Sequence, residues 1–407
     1  MTTYDVVIIG GGMVGAALGC ALGGSRYRVA LLEQQHFVEP PADRPFDNRV
    51  SAITRASEHL LRRIGAWSGV TERRYAPYQR MQVWDSGSRG LIGFDSDELG
   101  EPNLGYIIEN RVLLAALLAR LQQFDNVTTI APAQPLRTDR TASALQITLA
   151  DGQQLTTRLL VGADGSDSWV RQQAAISSRG WAYDHHAITA TITTSQPHRA
   201  TAWQRFLASG PVAMLPLSDP HCCSLVWSTA PNHAADLMAA ADSPFLDQLQ
   251  QAFGNPLGRL LQVGPRSVTP LLLRHATRYC DHRIVLIGNA AHAIHPLAGQ
   301  GLNLGLLDVA ALAEILLAAQ PQRRDPGDQA LLRRYERWRK EDNLTVMAAM
   351  EGFKRLFGSR HPLLQLARGA GLSLTDRSVE LKRWLLQRAL GRGDDLPTLA
   401  QPPVSAI

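Results

Sequence analysis

The strongest constraint on the fold is a glycine-rich turn that follows a short apolar run at the start of the chain. Residues 4–9 form a strand-like run, and Gly10, Gly12 and Gly15 follow with the spacing Gly-x-Gly-x-x-Gly before a stretch of small residues. In a strand–turn–helix unit these glycines make the tight turn, admit a pyrophosphate and let the helix pack on the strand. The pattern therefore predicts a nucleotide-binding α/β unit. The residues predicted to contact the cofactor here are Gly10, Gly12, Met13, Val14 and Gly15.

An acidic residue follows at the distance expected for a ribose contact. Residues 28–32 form a second strand-like run that ends at Glu33, 18 residues beyond Gly15. A carboxylate about 20 residues after the motif binds the adenosine ribose and repels a 2′-phosphate. The nucleotide bound by this unit is therefore predicted to be FAD or NAD rather than NADP.

Two further glycine-rich segments favour FAD over NAD. Residues 159–171 read LLVGADGSDSWVR and include Asp164, and residues 288–305 read GNAAHAIHPLAGQGLNLG after the apolar run 284–287. Glycine-rich turns that lead into helices present backbone N–H groups to anions. NAD needs only the first motif, whereas FAD is longer and needs several loops that converge on its ribityl chain and isoalloxazine ring.

Length and composition fit a large globular protein. A chain of 407 residues favours two domains, and contents of 45% hydrophobic and 19% charged residues are ordinary. The four cysteines have no metal-binding spacing, so no metal site is predicted. The sequence has no run of about 18 apolar residues and no export signal, and a cytoplasmic protein is expected.

The positive charge is concentrated toward the C-terminus. The net charge is +5, and residues 331–395 contain 14 Lys and Arg against 8 Asp and Glu. This region is either a surface for anionic lipid headgroups or a partner, or a solvated helix face. Nucleic acid is not expected as a partner, because an aromatic-rich RNA-binding signature is missing.

The chain resembles the flavoprotein aromatic hydroxylases, the single-component FAD monooxygenases typified by p-hydroxybenzoate hydroxylase. The three glycine-rich segments match three motifs of that family in the right order. Within the family the chain is most similar to the ubiquinone-biosynthesis ring hydroxylases, over about residues 3–391. The segments that carry this similarity are GGGMVGAAL at 10–18, RVSAI at 49–53, LGYIIEN at 104–110, MLPLSDPHCCSLVW at 214–227 and HPLAGQGLNLGLLDVAAL at 295–312.

The resemblance implies an α/β fold in which a Rossmann-like FAD-binding domain is interleaved with a β-sheet substrate domain. The FAD-binding domain is expected at 1–75, 100–180 and 275–330, the substrate domain at 76–99 and 181–274, C-terminal helices at 331–392 and a tail at 393–407. Five apolar residues of the substrate sheet either line a channel for a prenyl tail or, as we expect for any one of them, belong to the core. They are Trp203, Phe206, Met214, Leu215 and Trp227.

The resemblance also implies roles for single residues. Glu33 would hold the adenosine ribose, and Arg49 the FAD pyrophosphate or ribityl region, with Arg111 as a second candidate. Asp164 would contribute to the FAD and nicotinamide region, or else cap a turn. The third motif usually begins Gly-Asp, but here Asn289 follows Gly288. An asparagine can still bind a ribityl hydroxyl, and it removes a negative charge near the flavin.

The end of the third segment is expected beside the reactive edge of the flavin. Pro296 would restrict the loop, and the backbone N–H groups of Gly299, Gln300 and Gly301 would stabilise negative charge on the reduced flavin at a helix N-terminus. Leu302 and Asn303 are predicted cofactor contacts in the same helix. The nearby His292 and His295 are weaker candidates, since a lone histidine is more often structural.

The implied reaction uses NADPH or NADH to reduce FAD. The reduced flavin then reacts with O2 to form a C4a-hydroperoxide, which hydroxylates a lipophilic polyprenylphenol. Such a substrate suggests association with the inner membrane or with a quinone-biosynthesis complex. A FAD-dependent reductase, a hydroxylase of another aromatic compound and a non-catalytic FAD-binding subunit stay open as alternatives. The ring position, the prenyl-tail length, the choice of nicotinamide, any catalytic base and the oligomeric state also stay open.

Overall fold

The computed structural model describes residues 2–37, 44–87, 90–293, 300–358, 378, 391 and 395–402. The strands in chain order are β1 (Thr2–Ile9), β2 (Val29–Leu32), β3 (Val50–Ile53), β4 (Ala76–Tyr78), β5 (Arg80–Asp85), β6 (Leu91–Asp95), β7 (Gly105–Glu109), β8 (Val127–Ile130), β9 (Pro135–Arg140), β10 (Leu145–Leu149), β11 (Gln154–Gly162), β12 (Ser178–Thr194), β13 (Thr201–Leu207), β14 (Gly210–Pro216), β15 (Cys222–Thr229), β16 (Leu260–Val263), β17 (Ser267–Ala276), β18 (Cys280–Asp281), β19 (Ile284–Leu286) and β20 (His292–Ala293). The α-helices are α1 (Met13–Leu22), α2 (Arg55–Arg63), α3 (Trp67–Thr71), α4 (Asn110–Leu121), α5 (Trp169–Gln173), α6 (Pro231–Ala239), α7 (Asp242–Phe253), α8 (Gln300–Ala319) and α9 (Gln329–Gly358).

The first sheet is built on five parallel strands in the order β19–β11–β1–β2–β8. Antiparallel strands extend it, with β18 beside β19, and β10 and then β9 beside the first half of β11. The apolar runs 6–9 of β1, 29–32 of β2 and 159–161 of β11 join one buried core with α1, α4 and α8. Parallel strands with helical crossovers confirm the predicted α/β class and its Rossmann-like unit.

The second sheet has nine strands, in the order β20–β17–β12–β15–β14–β13–β5–β6 with β16 beside β12. Its strands are antiparallel except for the parallel pair β5 and β13. One face packs on α6 and α7, where Met214 and Trp227 are buried in the core and Trp203 packs beside them. These three side chains therefore belong to the core rather than to a channel.

A small third sheet, β3–β7–β4, lies against the opposite face of the second sheet. Leu215 of β14 and Leu217, just after β14, pack there with Ala76 and Ile107 of the small sheet. Phe206 belongs to a separate buried cluster with Val83. We call the face that carries Leu215 the inner face of the second sheet.

The strand pairing shows how the chain alternates between the sheets. Residues 80–95 pair with the strands of 178–276 in the second sheet, and β20 joins it from within the third expected FAD-binding segment. β4, at the start of the expected substrate segment 76–99, pairs with β7 in the small sheet. The boundaries of the two domains stay a prediction.

Helix α8 is long and apolar enough to span a membrane by length and composition, although the sequence predicts no such span. Gly301–Ala319 has a mean hydropathy of 1.9, but 78% of its apolar window is buried inside the protein. A core helix has the same composition, and α8 packs against α1 within the first core.

Candidate cofactor site

The first glycine-rich turn leaves open space at the N-terminus of α1. Gly10 has a φ of +105°, and a Cβ there would lie 2.5 Å from the carbonyl oxygen of Ala163. A Cβ on Gly15 would lie 1.9 Å from the carbonyl oxygen of Gly10, so α1 packs too closely on β1 for any side chain. Gly12 caps α1, is exposed and has nothing within 4 Å of a built Cβ. An anion can therefore approach the first N–H groups of α1 here.

The second glycine-rich segment lies directly beside the first. The N–H of Ala163 donates to the carbonyl oxygen of Ile9 at 2.8 Å, which continues the pairing of β11 with β1. A Cβ on Gly10 would also lie 2.9 Å from the Cα of Asp164. The carboxyl ends of two neighbouring parallel strands thus bring both turns to one edge of the sheet.

The third segment contacts both of the others. The N–H of Ile287 donates to the carbonyl oxygen of Gly162 at 2.9 Å. The buried Arg171 connects the same two segments, because its Nη1 donates to the carbonyl oxygen of Ala290 at 2.9 Å and its Nη2 to that of Ser166 at 2.7 Å. These bonds hold the second and third turns together.

Val14 of α1 joins the third segment to the first. A Cβ on Gly288 would lie 3.2 Å from a methyl group of Val14, and a Cβ on Gly305 would lie 2.9 Å from another. The turn after β19 and the second turn of α8 therefore both pack on the start of α1. All three glycine-rich segments converge on one place.

Glu33 lies at the end of β2 and faces the first turn. Its Oε2 accepts from the N–H of Gly11 at 2.7 Å, and its Oε1 accepts from the N–H of Gln35 at 3.1 Å. The carboxylate is half-buried, and its position is fixed beside the turn. A ribose hydroxyl that reached this place would meet an oriented acceptor.

Asp164 lies in the second turn, where one of its two carboxylate oxygens is hydrogen-bonded by the described residues and the other is not. Its Oδ2 accepts from the N–H of Val170 at 3.0 Å, while its buried Oδ1 has no hydrogen-bond partner among the described residues. Burial raises the pKa of this carboxyl group. An unsatisfied buried acceptor is unusual in a folded protein and suits a site that a ligand completes.

The two predicted arginines have different surroundings. Arg49 is exposed just before β3, and its guanidinium makes no hydrogen bond or ion pair within the part of the chain that the structure describes. Arg111 donates to Glu109 Oε1 at 2.7 Å and also to the carbonyl oxygen of Pro45. The guanidinium of Arg49 is thus available for an anion, whereas that of Arg111 is engaged by the protein.

Asn289 is presented outward by a tight turn. Gly288–Ala290 forms one turn of 3-10 helix after β19, in which the two outer residues are buried and Asn289 is exposed. Gly288 has a φ of +57°. The amide of Asn289 is therefore accessible at the point where the three segments meet.

Asn303, a predicted FAD contact, has its side chain turned toward other elements. Its Oδ1 accepts from the N–H of Thr54 at 3.0 Å and from Ser57 Oγ at 2.8 Å, and its Nδ2 donates to the carbonyl oxygen of Ala52 at 2.7 Å. The residue is 2% exposed. Its side chain connects α8 to the turn between β3 and α2.

The residues predicted at the reactive edge fall partly outside the described chain. Pro296 and Gly299 lie in the undescribed segment before α8. Gln300 and Gly301 begin α8, and Leu302 packs on the first core. The N-terminus of a 20-residue helix therefore directly follows the loop predicted to contact the flavin ring.

The site also contains a buried network of hydrogen bonds and ion pairs that the sequence did not predict. Asp308 is fully buried, and its Oδ2 accepts from the N–H of Gly288 at 3.0 Å and from His292 Nε2 at 2.5 Å. Its Oδ1 accepts from Arg339 Nε at 2.9 Å and from Asn343 Nδ2 at 3.2 Å. We call these five residues the Asp308 network.

Electrostatics favour the charged form of Asp308. Burial alone would raise the pKa of this carboxyl group, but His292, Arg339 and the N–H of Gly288 outweigh it and lower the pKa below its ordinary value. Two signals in the sequence could have revealed the network. Asp308 is one of two acids in an otherwise apolar helix, and Tyr335, Arg339 and Asn343 recur every four residues on one face of α9.

The residues present fit FAD. The open N-terminus of α1 suits a pyrophosphate, Glu33 suits a ribose, and the unsatisfied Oδ1 of Asp164 and the exposed amide of Asn289 offer further polar contacts. These groups lie on three segments that are far apart in sequence, as a long dinucleotide requires.

Comparison with known proteins agrees with this geometry. The FAD binding domain family matches residues 3–349. The crystal structure of p-nitrophenol 4-monooxygenase PnpA from Pseudomonas putida DLL-E4 superposes with a TM-score of 0.78 over 97% of this chain and 100% of that one. At 19% identity that similarity concerns the fold alone. The family match and the site thus define a FAD-binding flavoprotein.

Sequence relatives narrow the class. Ubiquinone biosynthesis monooxygenase COQ6, mitochondrial, from Xenopus tropicalis is 40% identical over 94% of this chain and 92% of its own length. The 3-demethoxyubiquinol 3-hydroxylase of Escherichia coli (strain K12) is 35% identical over 95% and 98%. The chain belongs to the family of FAD-dependent ubiquinone-biosynthesis hydroxylases, as its motifs predicted.

Proposed function

We propose that this chain hydroxylates the ring of a polyprenylated phenol in ubiquinone biosynthesis, with NADPH or NADH as electron donor and O2 as co-substrate. The observation that carries the proposal is the convergence of three glycine-rich segments at one edge of the first sheet. Support for the pathway comes from the named activities of relatives that share 35% to 40% identity over nearly the whole chain.

Bound FAD would supply hydride acceptance and the activation of O2, while the protein binds and orients it. We assign the pyrophosphate to the N-terminus of α1 at Gly12 and to the exposed Arg49. Glu33 would hold the ribose, and Asn289 the ribityl chain. The N-terminus of α8 would stabilise negative charge that develops on the flavin ring, because helix N-termini carry partial positive charge.

The substrate would bind along the inner face of the second sheet, beside its packed contact with the small sheet. Leu215 and Ile107 already make apolar contacts there, and both sheets border the cofactor segments through β3 and β20. An apolar wall suits a prenyl tail and helps to exclude water from the reacting groups. In this proposal the second sheet is the substrate domain and the first sheet is the FAD-binding domain.

The decisive experiment combines the purified full-length chain, FAD, NADPH or NADH and a detergent-solubilised 2-polyprenylphenol under heavy-oxygen-labelled O2. We expect one labelled oxygen atom in the ring product and nicotinamide oxidation that the phenol accelerates. Substrate reduction that continues without O2 would instead support a reductase. A protein that retains FAD but never oxidises the nicotinamide would support a non-catalytic subunit.

The ring position is a separate question. The segments around Arg49 and Pro216 favour a 2-polyprenylphenol substrate, whereas Asn289 favours a methoxyphenol. The precursor that accumulates in a strain lacking this gene distinguishes them. Accumulated prenylphenol supports the first assignment, methoxyphenol the second, and normal ubiquinone contradicts both.

We also propose that the protein acts at the cytoplasmic side of the inner membrane, either bound peripherally or within a quinone-biosynthesis complex. The support is the lipophilic substrate class together with the basic region 331–395.

A further inference from the structure

The turn that presents Asn289 is held at both ends by one carboxylate oxygen. Oδ2 of Asp308 accepts from the N–H of Gly288, just before Asn289, and from Nε2 of His292, three residues after it. The receiving side chain is 0% exposed. The position of Asn289 therefore depends on where this carboxylate stands.

The carboxylate is in turn placed by the C-terminal helix α9. Oδ1 of Asp308 accepts from Arg339 Nε at 2.9 Å and from Asn343 Nδ2 at 3.2 Å, and the arginine side chain is 1% exposed. A buried carboxylate needs such a counter-charge, since a lone charge in the interior is strongly destabilising. Removal of Arg339 would leave Asp308 charged without its arginine.

The same face of α9 also holds the strand that leads into the turn. Tyr335 Oη donates to the carbonyl oxygen of Leu286 at 3.0 Å, directly before the turn begins. Asn343 Nδ2 lies 3.3 Å from the hydroxyl of Tyr279, which precedes β18. Helix α9 is thus linked to the cofactor turn through the carboxylate of Asp308, and to the strand before the turn through the neutral hydrogen bond of Tyr335.

We propose that Asp308 is a positioning residue for the flavin and that Arg339 and Asn343 make α9 a functional part of the cofactor site. The inference rests on the proposed binding of FAD by the turn at Asn289. Among the described side chains, the residues of α9 would act on the cofactor through Asp308 and the turn. Their effect on the flavin would therefore be indirect but specific.

The first test replaces Asp308 with asparagine in the full-length chain. An asparagine offers one acceptor oxygen where the network needs two, so a donor of the turn or of α9 faces the new amide N–H2 group. We expect the Kd for FAD to rise at least about tenfold and the visible absorption spectrum and reduction potential of the bound flavin to shift. Flavin fluorescence, absorption spectra and redox titration measure these quantities.

Asp325→Asn is the matched control. Asp325 accepts from Arg283 Nη2 at 2.7 Å and from the N–H of Gly327 at 2.9 Å, so it also combines an arginine with a backbone N–H. It is not part of the Asp308 network. We expect its FAD affinity and flavin spectrum to match those of the wild type, whatever the loss in stability.

A second comparison separates positioning from folding. Asp308→Leu with Arg339→Met removes both charges, and such paired replacements often restore stability. We expect the unfolding midpoint of the double variant to exceed that of Asp308→Leu while FAD affinity stays low, because Gly288 and His292 still lack their acceptor. Recovery of both together would show a purely structural role and overturn the proposal.

A milder variant covers the case in which the others do not fold. Asn343→Ala keeps the ion pair of Asp308 with Arg339 but loses the hydrogen bonds of Asn343 to Asp308, Tyr279 and Arg339. We expect a spectral shift with about a threefold weaker FAD affinity. A wild-type chain that binds no FAD would contradict the proposed function itself. A wild type that binds FAD, with Asp308 and Asn343 variants that bind it identically, would contradict this inference alone.

Discussion

Gly12 and Gly15 belong to one motif, but the structure gives them different tasks. Gly15 is required by packing, since a Cβ there would overlap the carbonyl oxygen of Gly10 at 1.9 Å. Gly12 has a φ of −68°, which any residue adopts, and open space around it. The missing side chain at Gly12 therefore matters only for a ligand that approaches from outside the protein. Within one six-residue motif, Gly15 is therefore needed for packing and Gly12 for cofactor binding.

This difference predicts opposite behaviour of two alanine variants. Gly15→Ala should lower the unfolding midpoint of the apoprotein, because α1 must move away from β1. Gly12→Ala should leave that midpoint unchanged and weaken FAD binding at least about tenfold, because the methyl group occupies the approach of the pyrophosphate. Calorimetry of the apoprotein and FAD titration measure the two effects.

Gly93→Ala in β6 is the control for the methyl group itself, because a Cβ at Gly93 would also have no described neighbour within 4 Å. It should change neither quantity. Normal FAD affinity in Gly12→Ala would place the pyrophosphate elsewhere.

At the scale of elements, α8 is an apolar helix with two buried polar side chains in its first three turns. Asn303 holds the β3–α2 turn, and Asp308 holds the cofactor turn and α9. Each side chain is fully engaged by groups that would otherwise be buried without partners. These two residues orient α8 relative to its neighbours, which apolar packing alone does not do.

Asn303→Ala should therefore affect stability first. The N–H of Thr54 and the carbonyl oxygen of Ala52 would lose buried partners, and we expect the free energy of unfolding to fall by about 2–3 kcal/mol. Chemical denaturation of the apoprotein measures this. Asn289→Ala is the control, because its exposed side chain should affect FAD affinity and leave stability nearly unchanged. Unaltered stability of Asn303→Ala with lost FAD binding would restore Asn303 as a cofactor ligand.

The elements also show what local sequence could predict. The strands, the first helix and the glycine-rich turns follow from periodicity and turn chemistry within about 20 residues. The partner of Asn303 lies 249 residues away, and Arg339 lies 31 residues from Asp308. A single sequence does not encode such pairings in any local pattern. The polar residues can be identified in the sequence, but their partners are determined by tertiary packing.

At the scale of the whole molecule, the chain passes repeatedly between its two large sheets. β1 and β2 lie in the first sheet, β5 and β6 in the second, and β8 to β11 in the first again. The charge is less evenly shared, because residues 331–395 hold a surplus of six positive charges while the whole chain has only +5. A basic region of this size attracts anionic surfaces when its charges are exposed.

The proposed peripheral membrane association gives the last prediction. The full-length chain should float with vesicles that contain anionic lipid at low ionic strength and be released near 1 M salt, where the Debye length falls to about 3 Å. A variant with four basic residues replaced by glutamine should bind at least about tenfold more weakly, since each contributes about 1 kcal/mol near the surface. Those residues are Arg377, Lys382, Arg383 and Arg388.

The control carries the same change in net charge on four exposed arginines outside residues 331–395. Those residues are Arg26, Arg44, Arg137 and Arg259. If vesicle binding depends on where the charges lie, the control should float almost as well as the wild type. Only the first variant should then stay at the bottom of the gradient. Equal weakening of both variants would mean that net charge alone drives the association. Wild-type protein that never floats, at any salt concentration, would leave a protein complex as the remaining route to a lipophilic substrate.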